Sequence, residues 1–184
     1  MKVKQIIAMA LIGLGTVFGT TSALAAADFT EAQETIDDTS MFLISETSET
    51  LDDGTIEITR LYSSVNPYSR AKSGSGTFKN EKELVFSNEG STPLKYWVQG
   101  LFTWDSEKKT ATVTNRVYGH GTVNSSCKIK DENKTYGNNQ GNNIMLGRKY
   151  AFMRYTFTFV NVAGFERSAD VYLDVNIDGV SSTN

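Results

Sequence analysis

The stretch Leu94–Trp104, LKYWVQGLFTW, sets the strongest constraint on the fold. Leu94, Tyr96, Val98, Gly100, Phe102 and Trp104 fall on one parity; Lys95, Trp97, Gln99, Leu101 and Thr103 fall on the other. A helix would scatter the first set around its axis, whereas an extended chain puts it on one face. A chain that repeats this pattern must build pleated layers and bury one side of each.

The pattern does repeat. MFLIS (41–45) is a short apolar run, and TIEITRLY (55–62) alternates with Ile56 and Ile58 on one side. A weak strand is expected around 71–79 and another at ELVF, 83–86. In TATVTNRVY, Ala111, Val113 and Val117 are in phase; in TVNSSCKIK, Val123, Ser125, Cys127 and Ile129 are. Ala151, Met153, Tyr155, Phe157 and Phe159 share a face opposite Arg154, Thr156 and Thr158. Ala169, Val171, Leu173, Val175 and Ile177 form the last such row.

Turn signals separate the rows: Asp53-Gly54, DSEKK at 105–109, GHG at 119–121 and NVAG at 161–164. DENKTYGNNQGNN, 131–143, reads as a long Asn/Gly-rich loop. Eight or nine short strands without a long helical pattern predict an all-β domain, an antiparallel β-sandwich of immunoglobulin-like or similar kind. A small closed β-barrel is the alternative.

The chain opens with Lys2 and Lys4, an apolar run from Ile6 to Phe18, and Ala23-Leu24-Ala25 as a small-residue cleavage signal. That is the layout of a secretory signal peptide, 1–25, cut near Ala25 with Ala27 as the neighbouring choice. The apolar run is shorter than the roughly 20 residues a spanning helix needs, so no membrane span is expected. A polar, acidic arm follows at 26–40, then one domain at 41–180 and a tail at 181–184. The expected location is secreted, outside the cell.

Loss of the leader with Lys2 and Lys4 leaves 16 basic residues against 21 acids, a net charge of −5. The charges are scattered, and nucleic-acid binding needs a basic footprint, so no nucleic-acid partner is expected. One cysteine and one histidine leave too few ligands for a zinc site, and no metal or cofactor is expected. His120 and Cys127 are the only pair that could resemble a thiol–imidazole nucleophile. They lack a third orienting group, and Cys127 is in phase with Val123 and Ile129, so packing is the expected role. No catalytic residue is assigned.

DVNIDG, from Asp174 to Gly179, begins like an EF-hand loop. The bidentate Glu of position 12 is absent, and the preceding residues have strand rather than helix rhythm. Asp174, Asn176 and Asp178 are therefore expected on an outward polar strand face, with Asp178-Gly179 ending the strand.

The aromatic residues carry the functional expectation. Most of the ten Phe, eight Tyr and two Trp fit the inward phase. Trp97, Tyr150, Phe152 and Tyr172 do not, and Tyr136 lies in the Asn-rich segment. Tyr172 shares its side with Asp174 and Asn176. Flat rings beside amides and carboxylates suit sugar or protein contacts. The expected function is therefore noncatalytic binding of an extracellular ligand, glycan or protein partner, with these seven residues and the 131–143 loop as contact surface. A secreted antibacterial or toxin component and a hydrolase with clustered carboxylates are the alternatives.

The phrases AKSGSGTFKN (71–80), YWVQGLFTW (96–104), TATVTN (110–115) and NSSCKIK (124–130) resemble a loose group of small exported β-proteins of Firmicutes. The resemblance covers about residues 71–178. It implies a signal peptide and one β domain of this size, and it lends no catalytic residues. In that group the position matching Cys127 is usually Trp, which implies a packing role there.

Overall fold

The computed structural model describes residues 40–66, 71–86, 93–122, 127–140, 150–160, 164 and 166–183. The segments expected to be a signal peptide (1–25) and most of the expected arm (26–40) lie outside these residues, as do the Val123 and Ser125 positions and the 141–143 end of the Asn-rich segment.

The chain forms two antiparallel sheets. The strands are β1 (Phe42–Thr50), β2 (Ile56–Ser63), β3 (Ser73–Val85), β4 (Leu94–Asp105), β5 (Thr110–Thr122), β6 (Lys128–Gly137), β7 (Asn139–Gln140), β8 (Tyr150–Val160), β9 (Glu166–Asn176) and β10 (Ser181–Thr183). The larger sheet has the order β1-β2-β3-β4-β5-β7, and the smaller β10-β9-β8-β6. This is the all-β sandwich-like arrangement that the two-residue rhythm predicts.

The apolar rows meet between the sheets. Leu94, Tyr96, Val98, Phe102 and Trp104 of β4 are buried, as are Ala151, Met153, Tyr155, Phe157 and Phe159 of β8 and Ala169, Val171, Leu173 and Val175 of β9. The rings interlock edge to face: Tyr96 meets Phe157 across the sheets at 5.3 Å, and Phe78 meets Phe102 at 5.7 Å. Such pairs add roughly 0.5–1.5 kcal/mol each beyond the area they bury.

Several local expectations are corrected. The two short strands at 71–79 and 83–86 are one strand, β3, of 13 residues. In β2 the core side is the other parity: Thr55, Leu61 and Ser63 are buried, while Ile56 is exposed. Register is the cause, because Leu61 pairs with the buried Asn80 and Ser63 with the buried Phe78, which leaves Ile56 and Ile58 beside Val85 and Glu83. The outer surface there is tied by Arg60, whose guanidinium donates to Glu46 at 2.7 Å and Glu83 at 2.6 Å.

GHG is not a turn but part of β5. A bulge lies opposite the Gln99–Leu101 step, where Asn115 has φ 46°. One extra residue reverses the facing of everything beyond it. Tyr118 and His120 then pair with the buried Val98 and Tyr96, and Val117 goes to the opposite face. Residues 131–137 are likewise strand, paired with β8 up to Gly137–Phe152, and 139–140 pair with the start of β5 at Thr110 and Ala111. The expected tail contributes β10 through residues 181–183.

Candidate functional site

The EF-like stretch builds a hairpin. The side-chain oxygen of Asn176 accepts the main-chain N–H groups of Asp178 and Val180, both at 2.9 Å. Asn176 N–H donates to the Val180 carbonyl, and Gly179 N–H to the Asn176 carbonyl. Gly179 has φ 75° and lies so close to the Trp104 indole that any side chain there would clash with the ring. The oxygens at 174 and 176 are therefore engaged with the protein: Ser182 hydroxyl donates to Asp174 at 2.7 Å. Among the described residues no cluster of three or more His, Cys, Asp or Glu could hold a metal ion.

The seven aromatic and polar residues expected to make contact do not all lie together. Trp97 is on the outer face of the larger sheet, where its indole covers Gly119 and Lys79 stands 5.5 Å from its centre. Tyr136 pairs with the buried Met153 at the edge strand β6, and Arg116 stacks on its ring at 3.6 Å. The other five share the outer face of the smaller sheet. Phe152 stacks on Tyr172 at 6.0 Å and 25°, and Tyr150 meets Phe152 edge-on at 6.4 Å. Gly137 makes this possible, since any side chain there would meet the Phe152 ring. Tyr172 pairs in register with Arg154, and Asp174 with Phe152, so the carboxylate adjoins the rings. Burial, then hydrogen bonding with Tyr150 and the nearby Asp174 carboxylate, push the Tyr172 phenol well above its ordinary range.

His120 and Cys127 have separate surroundings. The His120 ring stacks on Tyr155 at 6.4 Å and approaches Phe157 at 5.8 Å, with Glu132 3.8 Å from its Nε2. Cys127 packs partly buried against the core, and burial pushes its thiol up. The bulge in β5 and the pairing of β6 bring His120, Glu132 and Lys134 around the buried Tyr155 at one side of the sandwich. Tyr155 hydroxyl donates to Glu132 at 2.8 Å, and that bond chiefly holds the Glu132 carboxyl below its usual range.

A pocket of about 250 Å³ opens on the opposite side, between the sheets. Leu51, Leu84, Phe159 and Ala169 give it apolar walls, and Glu57, Lys82, Tyr96 and Arg167 its polar groups. Lys82 ammonium meets Glu57 at 3.0 Å, and Tyr96 hydroxyl donates to Glu57 at 3.3 Å. Arg167 meets Asp53 at 2.8 Å and donates to the Thr55 hydroxyl at 3.3 Å. Burial, then the Glu57 charge, keep the Tyr96 phenol far above its ordinary range. The alternation of TIEITRLY puts Ile56 and Ile58 on one side without saying which side is buried, so the sequence alone does not reveal that Glu57 borders a pocket.

Among the described residues no helix is long and apolar enough to cross a membrane. No family model, curated protein or solved structure matches the chain.

Proposed function

We propose that this chain is a noncatalytic binding protein that works outside the cell, with the outer face of the smaller sheet as its contact surface and a glycan as its ligand. The supporting observation is the convergence of Tyr150, Phe152, Tyr172 and Asp174, with Phe152 and Tyr172 stacked and a carboxylate beside them. A sugar ring offers C–H groups to an aromatic face and hydroxyl donors to a carboxylate. Rigid rings supply contact area at small entropy cost. Arg154, held by Asp170 through two hydrogen bonds of 3.0 and 2.7 Å, extends the patch with fixed donors.

The hydrolase reading needs two acids facing a common cleft. Glu57 and Asp170 both border the pocket, but Asp170 pairs in register with Thr156 and its carboxylate is clamped by Arg154. Glu57 is engaged by Lys82 and Tyr96. This arrangement supports binding over acid–base work.

The test is a glycan array together with an envelope pulldown, using purified protein. Retention is expected, with Tyr172→Ala weakening it about tenfold, the loss of one stacked ring. Trp97→Ala, on the other sheet, is expected to leave retention unchanged. Equal retention of wild type and Tyr172→Ala would overturn the assignment of the surface. Retention on neither support would remove the glycan reading.

A further inference from the structure

The smaller sheet is incomplete on the side of the pocket. β8 pairs with one edge of β9 throughout, whereas on the other edge β10 pairs only with Leu173, Asp174 and Val175, so among the described residues no strand lies on that second edge along Glu166–Tyr172. Two contacts fix which main-chain groups face that vacancy. Asn176 N–H donates toward Val180, away from β8, and the Tyr172 carbonyl accepts the Asn80 side-chain amide at 2.6 Å. N–H and C=O of alternate residues point to the same edge of a strand. Asp170 and Ser168 therefore present their main-chain donors and acceptors to the vacancy, and both border the pocket.

The end of this slot carries a second sign of an absent partner. Asn80 is fully buried, and its Oδ1 is the only buried side-chain oxygen or nitrogen without a hydrogen-bond partner among the described residues. Leaving such an acceptor unpaired is unfavourable.

We propose that the slot binds an extended segment of a partner protein, added as a strand beside β9 in line with β10, with one neutral amide side chain (Asn or Gln) entering the pocket. A polypeptide fits because it alone repeats donor and acceptor at the spacing that Ser168 and Asp170 display. The neutral side chain follows from charge. Glu57 is matched by Lys82 and Asp53 by Arg167, so an entering charge finds no free counter-ion and bears a desolvation cost. The same argument excludes the chain's own segment 26–39, which carries Asp28, Glu31, Glu34, Asp37 and Asp38 and no base. It would lie beside Glu57, Asp53 and Glu166. This site is separate from the aromatic patch and stands or falls independently of the glycan reading.

The experiment uses capped heptapeptides of alternating Thr and Val with Gln, Glu or Lys at the centre, titrated into the purified protein by calorimetry. The Gln peptide is expected to bind about tenfold more tightly than the Glu or Lys peptide. Hydrogen exchange at the Ser168 and Asp170 amides should slow by about tenfold when it binds. N-methylation of alternate peptide amides should abolish binding without any change to the protein. Ser168→Pro, which removes an N–H that pairs with no other strand, should keep the fold and lose the peptide. The proposal is overturned by no binding of the Gln peptide at about 1 mM, by binding indifferent to N-methylation, or by protection at β1 or β6 instead. It is equally overturned if Ser168 and Asp170 are already protected in the free protein, whether that protection rises with protein concentration or disappears when 26–39 is deleted.

Discussion

Gly100→Ala tests whether the two sheets meet as described. Gly100 lies on the inner face of β4, and a Cβ there would stand 2.7 Å from the Met153 sulfur of the opposite sheet and 2.7 Å from Val113 Cγ2. Met153 and Val113 are both completely buried, so neither can swing into solvent. Adding a methyl to a filled core costs about 1–3 kcal/mol. The Gly→Ala change stiffens the unfolded chain and returns roughly 0.4–1 kcal/mol. The expected net loss is about 1–2 kcal/mol, and at ~2–4 °C per kcal/mol for a chain of this size the melting temperature falls by roughly 2–8 °C. Urea unfolding followed by the fluorescence of Trp97 and Trp104 measures it. Val113→Ala vacates the space that the new methyl needs. The double variant should therefore be more stable than the sum of the two losses by about 1 kcal/mol. A neutral Gly100→Ala, or strict additivity in the double variant, would refute this packing of β4 against β8.

Three further outcomes follow from single groups. The Glu132 carboxyl is held below its ordinary 4.5 in the folded protein, mainly by the Tyr155 hydroxyl, so its contribution is present above that value and is lost as pH falls through the lowered one. Melting curves of wild type and Glu132→Gln should differ above pH 4.5 and draw together as pH falls progressively below it; a gap that does not narrow in acid counts against the Tyr155 bond as its source. Lys109 ends the turn after Asp105 with φ 54°, and Lys109→Gly should raise stability by about 0.5 kcal/mol, read by chemical denaturation, whereas a loss would contradict the left-handed turn. Cys127 should react with iodoacetamide far more slowly in the folded protein than in urea, since burial raises its thiol; equal rates would place it at the surface.

The strands that face apolar neighbours on both sides of the core were legible because alternation is the direct image of burial. β4, β8 and β9 carry it without interruption, and each lies in the middle of its sheet or under the other one. β2 misled because Ile56 and Ile58 satisfy strand preference without being buried; only register with β3 tells which parity turns inward. The bulge at Asn115 left no apolar signal, yet it moved Val117 out and brought His120 in. Residues 131–137 are polar on both sides because β6 is an edge strand, so their composition reads as loop while the backbone pairs with β8. Trp97, Tyr150, Phe152 and Tyr172 are legible as outward rings because each breaks phase. Their grouping was not, because which rings adjoin depends on the β8–β9 register.

The unequal sizes of the sheets explain why the two candidate sites differ so much in legibility. Among the described residues six strands face four, and the β2–β3 flank extends beyond the cover that β9 provides. Inner-face positions under β8 and β9 are Val98, Phe102 and Val113, while those at the uncovered flank are Thr55, Glu57 and Lys82. A polar residue on an inner face breaks the rhythm by which inner faces are recognised. The pocket is thus hidden from sequence reading by the chemistry that makes it a pocket. The aromatic patch shows the reverse: rings on an outer face break the rhythm in the opposite sense, and that break stands out in the order of the residues alone. Both departures have the same physical origin. Alternation holds wherever a residue's only task is to separate core from water, and it fails where side chains pair with one another instead, as Glu57 does with Lys82 on the inner face and Phe152 with Tyr172 on the outer one.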